Sequence, residues 1–444
     1  MSILATRSIK SLLKSTSESS AVLLPRMFRI RQSFSGPRID DIPAAVRNAL
    51  AKLDLGTRIR PGQTVALTAG SRGIAHIPVI LKSTVQCLRD LGAQPFIVPA
   101  MGTHGGSTAE GQRRVLESYG IMEDFVGAPI RSSMEIVEIG RTPQGWPVFL
   151  DKLAANADHI GVVARIKPHT NFSGPIESGW LKMMVIGLGK AEGAAWAHRV
   201  FLDHPYDGVV RSVSRVIRQK APIAFGLASV ENGYDQTARI ESALPAEFEP
   251  VEERLLIDAK EWLARLPFEQ ADLLVIDEIG KEISGSGLDT NVVGRKRALR
   301  TDTLENQPDM RYIFVRCLSK HTHGNAAGIG FADFTTTRLI ASMNYADTRV
   351  NCVTSGFTQG ANLPVHYDED RQAIAAALGI LGLRESHDAR IIRIKNTLQL
   401  EYVEVSEPCL NELKPMTKFE ILGPMDWTFD AQGNLPESPW PESP

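Results

Sequence analysis

The sequence predicts an α/β protein of two domains, each a mainly parallel sheet flanked by helices, with its functional site in the crevice between the domains. Three observations carry this expectation. Apolar runs of strand length alternate with amphipathic helical stretches, the pattern of parallel strands joined by crossover helices. Each run ends in a loop where glycine accompanies His, Lys, Asn, Asp or Ser, and open α/β sheets bind ligands at the carboxyl ends of their strands. The 444 residues, 43% hydrophobic and 23% charged, suffice for two sizeable cores.

Residues 1–26 are basic, rich in serine and nearly free of acids. They read as an organelle transit peptide or, preferably, as an extension ahead of a start at Met27, and they are expected to lie outside the fold. From Met27, "MFRIRQSFSGPRIDDIPAAVRNAL" reads as a strand and a helix. "QTVALTAGS" is the next strand, and Ile77–Ala93 the next helix, with Ile80, Val85, Leu88 and Leu91 near one face. "QPFIVPA" is again a strand, followed by a glycine-rich loop and a helix start at Ser107 or Thr108. Further strands follow in "HIGVVARI", "PIAFGLASV", "ADLLVIDEI" and "RYIFVRCL". The charged helix "EPVEERLLIDAKEWLARL" closes the first domain, so the domains are expected over 27–266 and 267–430, with a proline-rich, disordered tail over 431–444.

A formal net charge of -2 supplies no general field for nucleic acid or an anionic membrane, and no stretch reaches the roughly 18 apolar residues of a membrane span. Cys87, Cys317, Cys352 and Cys409 are scattered, without CxxC or zinc spacing, a pattern suited to a reducing cytoplasm. A small molecule held in a pocket is the expected partner. Assembly into a homo-oligomer is left open.

The stretch "GWLKMMVIGLGKAEGAAWAHR", Gly179–Arg199, concentrates the candidate chemistry. Lys182 stands in an apolar run, where lost solvation lowers an amine's pKa and frees it as a nucleophile or covalent tether; a lysine snorkelling from a strand edge is the alternative. Gly187 and Gly189 form a glycine turn before Lys190, at a helix start whose free N–H groups attract phosphate. His198, two turns on, is either a structural histidine or a metal ligand whose other donors come from a cofactor. His104 in "PAMGTHGG" and His169 in "RIKPHTNFSG" sit at strand ends, and histidine suits reversible proton transfer. Arg72 in "TAGSRG" can fork onto a carboxylate.

Over about residues 60–200, the order Arg72, His104, His169, Lys182 and His198 resembles the lactate racemase family. That resemblance implies isomerase activity, racemising or epimerising a 2-hydroxy acid with a nickel-pincer nucleotide, the pyridinium-3-thioamide-5-thiocarboxylic acid mononucleotide, which maturation enzymes supply. It casts Lys182 as the tether, His198 as the protein's nickel ligand, His104 and His169 as paired acid/base residues, and Arg72 as the substrate's carboxylate anchor. Lys190 is our addition, as a partner for the cofactor phosphate. The family also supplies a substrate cation from the C-terminal half, for which Lys296 in "NVVGRKRALR" is the first candidate and Lys320 the second.

The chain departs from the pattern where Ala69-Gly70-Ser71 replaces an acid before Arg72, and where "NFSGPIESGW" replaces a double glycine before Lys182. These departures point to a substrate larger or more polar than lactate. Two rival readings use the same residues: a hydratase or hydrolase with an ordinary divalent metal on His104, His169 and His198, and a non-catalytic hydroxy-acid or nucleotide binder.

Overall fold

The strand-length apolar runs form strands in the structure, a computed structural model that describes residues 22–71, 73–296, 307–410, 419–437 and 440. In chain order the strands are β1 (Met27–Gln32), β2 (Thr64–Ala69), β3 (Gln94–Pro99), β4 (Ile136–Arg141), β5 (Pro147–Asp151), β6 (His159–Arg165), β7 (Ile223–Glu231) and β8 (Thr237–Ala243). There follow β9 (Gln270–Ile279), β10 (Asp309–Leu318), β11 (Phe334–Thr336), β12 (Val365–Tyr367), β13 (Ile391–Ile394), β14 (Tyr402–Ser406) and β15 (Phe419–Met425).

One sheet has the order β3-β2-β6-β7-β8, parallel except for β8. The other runs β12-β11-β10-β9-β13-β14-β1-β15, parallel through β13 and antiparallel beyond it. A two-stranded hairpin, β4-β5, stands apart and was not anticipated.

Both sheets are covered on both faces, which explains the unbroken apolar runs. Along β2, Val65 and Leu67 enter one core while Ala66 enters the other; Leu274 and Ile276 of β9 likewise face away from Leu273 and Val275. The expected helix is observed over Ile77–Asp90, burying Ile80, Val85 and Leu88, and Thr108 caps the helix Ala109–Ser118 by accepting the Gly111 N–H at 3.0 Å.

At both chain ends the fold differs from expectation. β1 pairs with β14 and β15 in the larger sheet, so the segment opening at Met27 crosses between sheets before it reaches β2. Residues 22–26 are not outside the fold: Val22 and Leu24 pack on the larger sheet's core, and the Pro25 carbonyl accepts the Trp427 indole N–H at 2.9 Å. The expectation for residues 1–21 lies outside the described residues. Nor is the start of the tail disordered, because Leu435 is buried and the Trp440 indole donates to Asp277 at 3.0 Å. Among the described residues, no helix is long and apolar enough to cross a membrane.

Candidate active site

In-register parallel pairing, such as Ala69 with Pro99 and Arg165 with Ser229, brings the carboxyl ends of β2, β3, β6 and β7 to one edge. A cavity of about 370 Å³ opens there. Its wall takes Ser71 from the loop after β2, His104 after β3, Lys167 and His169 after β6, and Glu231 and Asp235 from the end of β7. Lys182, Gly187 and the segment Lys281–Gly285, which follows β9 in the larger sheet, complete it.

His169 is held by its own loop. Its backbone N–H donates to Glu177 Oε2 at 2.7 Å, and its Nδ1 accepts the Asn171 N–H at 3.0 Å. That bond leaves Nε2 carrying the hydrogen of the neutral ring. The ring stacks on Phe172 at 4.6 Å. Glu177, buried in the "PIESG" stretch, also takes the Gly174 N–H at 3.2 Å and an ion pair from Lys260. His104 opens a turn whose geometry requires Gly105: the glycine φ is +65°, and a Cβ there would come within 2.5 Å of the Gln112 nitrogen.

Lys182 lies on a short helical turn, Trp180–Lys182, and not on a strand edge. The chain continues as a π-helical turn, Met183–Gly187, a rare geometry that recurs at functional sites. Gly187 is required by packing, since a Cβ would lie 2.7 Å from the Ala100 carbonyl oxygen. Glu252 underpins the turn, its Oε2 accepting the Leu181 N–H at 3.1 Å. His198, on the helix Lys190–Phe201, is not part of the cavity wall, but its imidazole feels the Lys182 charge. Burial first, and that charge second, lower its pKa to about 4, so the ring is neutral.

Lys190, Gly189 and Lys296, all expected at the site, face elsewhere. Lys190 is fully buried, with Nζ 2.8 Å from Asp151 Oδ2 and 2.6 Å from the Pro99 carbonyl oxygen, so its charge is spent inside the protein and is not offered to a phosphate. Gly189, beside it, is close-packed on the Val185 carbonyl and also lies off the wall. Lys296 is buried and donates to the Phe172 carbonyl at 3.0 Å and to Ser173 Oγ at 3.1 Å, bracing the His169 loop in place of facing a ligand. Lys320, His321 and His323 are exposed and off the wall, whereas Lys281 is on it. Arg72 lies outside the described residues. Among the described residues, no group of three or more His, Cys, Asp or Glu could hold a metal.

Residues 32–209 match the model for the lactate racemase N-terminal domain, the segment that carries His104, His169, Lys182 and His198. Residues 32–209 are thus similar to the N-terminal domain of lactate racemases. A solved structure of the lactate racemase apoprotein from Thermoanaerobacterium thermosaccharolyticum has a similar fold, with TM-score 0.50 and 13% identity over 83% of this chain and 94% of that one. A search of curated proteins finds no match.

The cavity also holds charges that sequence reasoning missed. Arg165 and Glu231 form an ion pair on its wall. The Lys167 amine is held below lysine's usual range by burial and then by the Arg165 charge. The Asp235 carboxyl, on a residue that stays open to solvent, is pushed up by the walls of the cavity around it and by Glu231. Lys167 stood two residues from His169 in a quoted strand end, and Asp235 in the turn after β7, so position at a carboxyl strand end was the available signal.

Proposed function

We propose that this lactate racemase relative racemises or epimerises a 2-hydroxy acid, using a nickel-pincer nucleotide tethered to Lys182. One observation carries the reading: His104, His169 and Lys182, from three separate segments, line one cavity, and a neutral His198 stands within electrostatic reach of the Lys182 amine. The residues fit the group. A neutral imidazole is the metal-binding form of histidine, and one suffices when a nucleotide brings the other donors.

When bound, the nucleotide supplies a reversible hydride acceptor for C2. The protein supplies the proton chemistry. One histidine takes the hydroxyl proton as a carbonyl develops, and the other returns a proton after the carbonyl has presented its opposite face. His169, with its hydrogen on Nε2, is set to donate, so His104 is assigned as the base for one direction, and the roles exchange for the other. Lys281, the wall lysine from the larger sheet, is assigned to the substrate carboxylate in place of Lys296 or Lys320, alongside Arg72.

Intact-mass measurement of protein made together with the maturation enzymes tests the tether. An adduct is expected in the parent chain and in His198→Ala but not in Lys182→Ala, while nickel content falls in His198→Ala. A parent chain without adduct would refute the reading. Single replacement of His104 or His169 is expected to abolish turnover in both directions, as followed by chiral chromatography.

A further inference from the structure

The charges at the ends of β6 and β7 are unequally satisfied. Arg165 and Glu231 hold each other, and Glu231 Oε1 also accepts the Ala75 N–H at 2.7 Å. Lys167 Nζ lies 3.8 Å from Asp289 Oδ2, beyond hydrogen-bonding range. The Asp235 carboxyl has no hydrogen-bond partner among the described residues, although it lines the cavity with Lys167 and His169. Its backbone sits at φ +54°, in a turn fixed by Asn232 Oδ1, which accepts the N–H groups of Tyr234 and Gln236.

An under-used donor and an under-used acceptor thus face the same space as the proposed acid/base pair. We propose that Lys167 and Asp235 form a subsite that hydrogen-bonds hydroxyl groups beyond C2, making the preferred substrate a polyhydroxylated 2-hydroxy acid. This rests on the racemase reading above. A hydroxyl both donates and accepts, so it can satisfy an ammonium and a carboxylate together. The methyl of lactate would strip water from both groups and replace nothing, a penalty that polar subsites use to reject analogues lacking the hydroxyl. Next to Lys167 and Asp235 a second ligand carboxylate is disfavoured, because the groups that interact there are Glu231, Asp235 and Asp289 against Arg165 and Lys167.

The test uses matured protein with lactate, glycerate and threonate as probes. The parent chain is expected to turn over threonate with a kcat/KM at least roughly tenfold above lactate, and Asp235→Ala and Lys167→Met each to lower that ratio by roughly 10- to 100-fold. An unchanged ratio would overturn the subsite. So would loss of the Lys182 adduct in Lys167→Met, which would assign these groups to the nucleotide. Calorimetric titration of the same acids separates the two readings. Threonate binding that depends on Asp235, without turnover of any acid, sustains the subsite while sinking the racemase chemistry; no such binding and no turnover sinks both.

Discussion

Glu252 shows how a single buried residue shapes the turn that bears Lys182. Gly179 lets it come close, since a Cβ there would lie 2.6 Å from the Glu252 carboxyl carbon. Burial pushes the carboxyl up to about 7, against the pull of the Leu181 and Trp180 N–H groups. A carboxyl whose folded pKa exceeds its unfolded value near 4.5 adds stability that is complete below pH about 4.5 and is lost as pH rises through about 7. Urea unfolding at pH 5 and pH 8 is therefore expected to show the parent chain losing up to about 3 kcal/mol relative to Glu252→Gln; parallel pH profiles would contradict this. At Gly187, alanine must push against the Ala100 carbonyl and Met183 sulfur. Gly187→Ala is expected to cost about 1–3 kcal/mol and to lower the yield of the Lys182 adduct, read by thermal unfolding and intact mass.

The elements explain what could and could not be read from the sequence. Runs such as "LLVI" in β9 announced themselves because both faces of a covered parallel strand must be apolar, and Thr108 was legible as a cap because its hydroxyl replaces a missing helix partner. Lys190 was misread for a physical reason. A glycine turn before a helix looks like an anion cradle, but the anion that meets this lysine is Asp151, on β5 of a hairpin that leaves little trace in the sequence. The hairpin and the Lys190–Phe201 helix are joined by that ion pair. Lys190→Met alone should leave a buried, uncompensated carboxylate and cost about 3–5 kcal/mol, with much of the loss recovered by adding Asp151→Leu. Denaturant midpoints of the single and double variants check this, and equal losses in both would refute it. Lys296 illustrates the same limit: its type and place suit a ligand, yet its partners are Phe172 and Ser173, far away in sequence.

At the scale of the whole molecule, Met27–Gln32 and Phe419–Met425 are neighbouring strands of the larger sheet, and the described residues next to them pack on its core. Arg316 joins Asp277, Asp370 and the Leu435 carbonyl, and Arg393 joins Asp277, Glu404 and the Pro436 carbonyl. Deleting residues 431–444 removes the Leu435 side chain from its core and is expected to cost at least about 1.5–3 kcal/mol, lowering the melting temperature; an unshifted transition would show the segment to be dispensable.

The placement of β1 between β14 and β15 also sets a timetable for synthesis. β2 through β8 can assemble as soon as residue 243 has emerged, because their partners all lie upstream of that point. Met27 pairs with Ser406, so the first strand made is among the last to find its neighbour, and at ribosomal speeds it waits roughly tens of seconds with its edges unpaired. A newborn chain of this protein therefore carries one finished half and one half waiting on its own beginning.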